Sequence, residues 1–161
     1  MGMAESKTTY CVALADEAAT ARLAARLAPL ARPGDVIALE GDLGTGKTSF
    51  ARAFVRALTH AAEEVPSPTF TLAQLYECDT GTIWHFDLYR LEKPDDALEL
   101  GIEEAFADGI SLIEWPERLG PWLPRQRLAL RLSATADGGR RAELAAVGQQ
   151  WRQRLKESFG E

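Results

Sequence analysis

Three features of the chain predict an α/β fold with a mostly parallel sheet flanked by helices. Residues 35–40 and 110–113 are short, nearly unbroken apolar runs, as expected of strands covered on both faces. Residues 49–58 place Phe50, Phe54 and Leu58 at helical spacing, with a glycine-rich segment between them and the first of those strands. Strand, loop and helix therefore follow in the order of a parallel βα unit. At 161 residues the chain suits a single domain over 1–161, and no linker, internal repeat or second boundary divides it.

Around that unit, residues 8–14 read as a short strand, and Asp16 stands where an N-cap should precede a helix carrying Leu23, Leu27 and Leu30. Pro33-Gly34 is expected to end that helix. Pro66, Ser67 and Pro68 stiffen a loop, after which 69–78 and 82–89 read as an antiparallel hairpin turning at Asp79-Thr80-Gly81. Pro94-Asp95-Asp96 opens a short helix that Gly101 stops, and a second short helix runs to Asp108. Beyond the prolines at 116, 121 and 124, residues 127–132 alternate charged or small residues with leucine, the pattern of an edge strand. Gly138-Gly139 turns into a last strand, and Trp151 with Leu155 marks a closing helix. The sequence thus predicts C-terminal edge strands beside the parallel core.

Composition excludes several classes. Hydrophobic residues make up 46% and charged residues 26%, enough apolar material for a packed core. No run approaches the roughly 20 apolar residues of a membrane span, and no signal-type segment is seen, so the expectation is no membrane and a cytoplasmic setting. Two cysteines, Cys11 and Cys78, are too few for a disulfide scaffold and lack metal-site spacing. With 18 basic against 24 acidic residues, net −6, the whole surface does not grip nucleic acid.

Chemistry concentrates in Gly41-Asp42-Leu43-Gly44-Thr45-Gly46-Lys47-Thr48, which fits G-x-x-x-x-G-K-[ST] at every fixed position and lies between a predicted strand and helix. This makes the fold a P-loop NTPase type. Glycines let main-chain N–H groups and the positive end of the following helix face anionic oxygens. Gly44, Thr45, Gly46, Lys47, Thr48 and Ser49 are the candidate nucleotide-binding residues, with Lys47 a charge for the β- and γ-phosphates and Ser49 near the α-phosphate. The Thr48 hydroxyl suits Mg²⁺, which takes few protein ligands.

A hydrolase also needs an acid at a second strand end. Glu114, after the apolar run 110–113, is the better candidate to hold Mg²⁺ with Thr48; Asp87 is left to orient water or couple to partners. Thr69 lies where many nucleotide switches sense the γ-phosphate. His85, polar within a strand, reads as a structural hydrogen-bonding residue. Guanine-specific switches read the base with Asn-Lys-x-Asp, and this chain has no asparagine, so ATP/ADP is favoured.

Taken in order, the loop 41–48, Ser67-Pro68-Thr69-Phe70-Thr71-Leu72, His85-Phe86-Asp87-Leu88-Tyr89-Arg90 and Ile113-Glu114-Trp115-Pro116-Glu117-Arg118-Leu119 closely resemble the bacterial TsaE (YjeE) family over about residues 16–141. The resemblance implies an ATPase, slow alone, that works with TsaB- and TsaD-like proteins to make threonylcarbamoyladenosine beside the anticodon of tRNA without transferring the group itself. It implies that Thr48 and Glu114 hold Mg²⁺ and that Asp87 is needed for hydrolysis. It also places Glu17 and Gly139 near the nucleotide.

Charge is lopsided: residues 92–108 hold seven acids and one lysine, and residues 118–156 hold nine basic residues and two acids. The acidic stretch reads as a protein-docking face and the basic one as a surface toward RNA or a second subunit; tRNA contact is either indirect or through that C-terminal basic face. Two other readings use the same residues: a small-molecule kinase with arginines of 118–131 as a lid, and a nucleotide-gated binding module without turnover.

Overall fold

A computed structural model describes residues 9–60, 64–66 and 71–160. Asp16 caps the first helix as its sequence position predicts, its Oδ1 accepting the Ala19 N–H at 2.9 Å. That helix, α1 (Glu17–Leu27), gives way to a 3₁₀ turn (Ala28–Leu30), because Pro29 has no N–H to continue the ladder; it thus ends before Pro33-Gly34. The other helices are α2 (Lys47–Leu58), α3 (Ile102–Asp108) and α4 (Arg152–Phe159), with further 3₁₀ segments at Pro94–Leu100 and Pro116–Trp122.

Seven strands, β1 (Thr9–Leu14), β2 (Val36–Glu40), β3 (Ala73–Cys78), β4 (Gly81–Asp87), β5 (Ile110–Glu114), β6 (Arg127–Ala134) and β7 (Arg140–Val147), form one sheet. Their order is β1-β7-β6-β2-β5-β4-β3. The inner ladders β6–β2, β2–β5 and β5–β4 are parallel; the outer ones are antiparallel. Mixed α/β architecture with a parallel centre is therefore observed.

The expectation of C-terminal edge strands is corrected. β6 lies between β2 and β7, and β1 covers β7, so the edges are β1 and β3. The alternation in β6 has another origin: Leu128, Leu130 and Leu132 are buried under helices, whereas Arg131 on the opposite face is exposed. Alternation reports a half-covered face, not a position in the sheet.

Strand parity then sorts the core into two layers. Ile37, Leu39, Ile83, Ile110, Leu112, Leu130 and Leu144 share one layer with Phe50 and Phe54 of α2, Leu23 and Leu27 of α1, and Trp151 and Leu155 of α4. On the other face Val36, Trp84, Phe86 and Ile113 pack with Ala97, Ile102, Ala105 and Leu119. Asp35 ties α4 to the start of β2, its Oδ2 accepting from Arg154 Nη1 at 2.5 Å and from the Arg32 N–H at 2.7 Å.

Because the α2 layer is closed, Phe54→Ala is expected to cost about 3–5 kcal/mol in urea unfolding. Leu75→Ala, at a half-exposed position on edge strand β3, should stay within about 0.5 kcal/mol of the parent.

Candidate functional site

The parity that fills the α2 layer carries polar groups to its end. Ile110, Leu112 and Glu114 alternate onto one face of β5, as Ile83, His85 and Asp87 do on β4. The parallel register sets Asp87 opposite Glu114. Both carboxylates thus leave the C-terminal ends of neighbouring strands toward the head of α2, where α/β sheets present ligand crevices. They are buried, at 6% and 2% exposure.

Between β2 and α2 the loop turns through positive φ at Gly41 (139°), Gly44 (81°) and Gly46 (100°). At Gly41 a Cβ would come within 2.4 Å of the Leu132 carbonyl oxygen and 2.8 Å of Thr45 Oγ1, so the absence of a side chain is a packing requirement there. At Gly44 and Gly46 an added Cβ would meet nothing, and glycine is required by backbone conformation alone. Thr45 Oγ1 closes the loop by donating to the Asp42 carbonyl at 2.8 Å.

Lys47 folds back over this loop, its Nζ donating to the Gly41 carbonyl at 2.5 Å and lying 3.4 Å from the centre of the Trp115 ring. Burial lowers its pKa from the ordinary lysine value of 10.5, while Glu114, Glu117, Asp87 and Asp42 act in the opposite sense. Trp115 reaches that position through a left-handed backbone (φ 60°, ψ 53°), unusual for a bulky residue, directly after β5. Its ring also meets Tyr89, with centroids 5.0 Å apart.

In the first turn of α2, Thr48 Oγ1 donates to Glu114, 2.9 and 3.0 Å from its two oxygens. Glu114 Oε2 also accepts from His85 Nε2 at 2.7 Å. A carboxylate only accepts, so the His85 proton on that nitrogen is assigned by its partner. His85 is fully buried, and Nδ1 meets no hydrogen-bond partner among the described residues, so Glu114 is the ring's polar contact. The hydrogen-bonding role expected of His85 is what is found.

A cleft of about 720 Å³ collects the predicted residues: Glu17, Gly44, Thr45, Gly46, Lys47, Thr48, Ser49, Asp87, Glu114 and Gly139 all line it. Glu17 enters from the first turn of α1, its Oε2 accepting from Ser49 Oγ at 3.0 Å. Gly139 belongs to a turn pressed against the end of β1, where a Cβ would lie 2.9 Å from the Leu14 carbonyl oxygen. Thr69, with Ser67, Pro68 and Phe70, lies outside the described residues.

Arg140 was not anticipated. It lines the same cleft, and its Nε and Nη2 donate to the carbonyls of Thr45 and Gly44 at 3.1 and 3.0 Å. The signal was available in β7, where Arg140 shares parity with buried Ala142 and Leu144 while Arg141 is exposed on the other face. The basic stretch is accordingly split: Arg131 lies 3.7 Å from Glu40, Arg141 3.4 Å from Glu143, and Arg154 2.5 Å from Asp35.

The residues present fit a phosphate chain with a small hard cation. An all-protein cage is absent, since no group of three or more His, Cys, Asp or Glu converges among the described residues. A cation resting on the Thr48 hydroxyl and Glu114 would complete its shell with water and phosphate oxygens, the habit of Mg²⁺.

Residues 14–142 match the family described as "Threonylcarbamoyl adenosine biosynthesis protein TsaE". The chain belongs to the TsaE family. It is 38% identical over 133 residues to the tRNA threonylcarbamoyladenosine biosynthesis protein TsaE of Bacillus subtilis, covering 82% of each chain. Identity to the TsaE of Rickettsia conorii is 40% over 121 residues, 75% of this chain and 69% of that one. The crystal structure of Bacillus subtilis YdiB superposes with a TM-score of 0.76 at 29% identity, covering 96% of this chain and 95% of that one. Among the described residues no helix is long and apolar enough to cross a membrane.

The two kinds of glycine constraint are separable by substitution. Gly41→Ala, which meets backbone atoms of β6, should destabilise by about 1–3 kcal/mol in urea unfolding. Gly44→Ala, opposed by φ alone, should lose about 1–2 kcal/mol. Only Gly41→Ala should also disturb the amide resonances of 130–134 in a ¹⁵N correlation spectrum.

Proposed function

We propose that this member of the TsaE family is a P-loop ATPase, hydrolysing ATP to ADP and phosphate in service of threonylcarbamoyladenosine modification of tRNA. The observation that carries this reading is the Thr48–Glu114 contact: a hydroxyl in the first turn of α2 held by a strand-end carboxylate, directly behind a glycine loop and a buried lysine.

Within that reading, main-chain N–H groups of 44–48 and the N-terminus of α2 receive the phosphates. Lys47, already inside the loop, places its ammonium against the β- and γ-oxygens; gaining an anionic partner there offsets the burial that now lowers its pKa. Mg²⁺, when bound, supplies Lewis-acid neutralisation of charge on the transferring group. Thr48 and Glu114 would hold it, and His85 keeps the Glu114 carboxyl turned toward Thr48. Asp87, in register beside Glu114 and lining the same cleft, orients the attacking water and accepts its proton. Ser49 approaches the α-phosphate, leaving Glu17 and the turn at Gly139 beside the nucleoside.

The TsaE resemblance extends the proposal to partners. TsaB- and TsaD-like proteins would bind this subunit and accelerate a turnover that is slow alone, with group transfer occurring in the partner.

Phosphate release from MgATP, followed with and without those partners, tests the assignment. Lys47→Ala should lower turnover by at least about 10²-fold, and Asp87→Asn by about 10²–10⁴-fold with MgADP binding kept. In cells lacking the wild-type subunit, Lys47→Ala should fail to restore threonylcarbamoyladenosine to tRNA by nucleoside mass spectrometry. Undiminished hydrolysis by Lys47→Ala would refute the site, and a phosphorylated metabolite in place of free phosphate would make the protein a kinase.

A further inference from the structure

Arg140 directs its guanidinium at main-chain carbonyls. Nε reaches the Thr45 oxygen at 3.1 Å, Nη2 the Gly44 oxygen at 3.0 Å, and Nη1 its neighbour Gly139 at 3.3 Å. The first two belong to consecutive peptide groups of the phosphate loop. In a trans peptide the C=O and N–H point in opposite directions. Drawing the Gly44 and Thr45 oxygens to one side therefore turns the Thr45 and Gly46 N–H groups to the other. For a loop that must show donors, not carbonyl oxygens, to an anion, this orientation is the functional variable.

The loop's own bond, from Thr45 Oγ1 to the Asp42 carbonyl, engages neither the Gly44 nor the Thr45 oxygen. Gly44 and Gly46 flank the two peptides at positive φ, and glycine visits several backbone wells at little cost, so either peptide can flip. Arg140 rests on a firmer base. It is the first residue of β7, paired with Leu14 of β1 and Ala134 of β6. The preceding turn is cross-bonded: Asp137 Oδ1 accepts from Thr135 Oγ1 at 2.5 Å and from the Gly139 N–H at 3.1 Å, and the Thr135 N–H donates to the Gly139 carbonyl at 3.0 Å. The two bonds to its carboxylate, the one from the Thr135 side chain foremost and then the one from the Gly139 N–H, also hold Asp137 below its ordinary pKa. The fork matters as much as the charge, since a planar guanidinium spans two successive oxygens and a lysine ammonium on a flexible stem does not.

We propose that Arg140 is a positioning residue, a brace from the β6–β7 turn that fixes the peptide orientation of the phosphate loop and so pre-forms its donor array. The inference rests on the ATPase reading for its purpose and on the geometry alone for its structural claim.

Two measurements on the full chain test it: ¹⁵N relaxation of the ligand-free protein and calorimetric titration with MgADP. The parent should show Thr45 and Gly46 amide order parameters near ~0.85, falling to ~0.6 or below in Arg140→Ala. MgADP affinity should fall about tenfold or more in the same variant. Arg140→Lys should recover neither property fully, and Arg141→Ala, on the opposite face, should match the parent in both. Rigid loop amides in Arg140→Ala would overturn the brace. So would full recovery of affinity in Arg140→Lys with the amides still loose, which would make Arg140 a charge and no more. If Arg140→Ala fails to fold, Arg140→Lys decides alone, and amides as rigid as the parent's overturn the brace. Absence of MgADP binding by the parent would refute the ATPase reading only, and relaxation still decides the loop geometry.

Discussion

The hydrogen bond from Thr48 to Glu114 joins the two halves of the site. It links the first turn of α2 to the last residue of β5, with donor and acceptor 66 residues apart in the chain. Its partners are placed by different rules. Thr48 is set by the loop that feeds α2, and Glu114 by the alternation of β5 and the parallel register with β2 and β4. A one-residue slip of β5 would turn Glu114 to the opposite face and put Ile113 against α2. The buried Ile110, Leu112 and Ile113, divided between the two core layers, oppose that slip.

Around this contact the fold accepts costs that a structural protein would avoid. Lys47, His85, Asp87 and Glu114 are all buried where the apolar layer ends. Burying a polar group is costly unless it is bonded, and this set, His85 Nδ1 apart, is bonded mainly to itself and to the backbone: His85 to Glu114, Glu114 to Thr48, Lys47 to the Gly41 carbonyl. Trp115 adds a left-handed backbone immediately beyond Glu114. Such strain gathers at working sites because the surrounding packing holds it in place, and here it sets the indole under the lysine.

Much of this could be read from residue order. The loop 41–48 carries its own geometry in its glycines, and strand ends at 87 and 114 mark where acids can converge, so every described candidate came to one cleft. Arg140 and the interior position of β6 were hidden for a related reason. Both depend on which strands become neighbours, and long-range pairing of β1 with β7 leaves no local signature. Alternation in β6 tells which face is covered, not where in the sheet the strand lies. A run of charge in the sequence does not define one face, because a strand sends adjacent arginines such as Arg140 and Arg141 to opposite sides.

The central claim is that the cradle of 44–48, with Thr48 and Glu114, receives a phosphate chain and its divalent cation. A crystal structure grown with Mn²⁺ and a non-hydrolysable ATP analogue tests it most directly, since Mn²⁺ is located by anomalous scattering. The ion is expected beside Thr48 Oγ1 and the Glu114 carboxylate, with β- and γ-phosphate oxygens on the loop amides and Lys47. A triphosphate bound away from the loop, or Mn²⁺ remote from both Thr48 and Glu114, would contradict it.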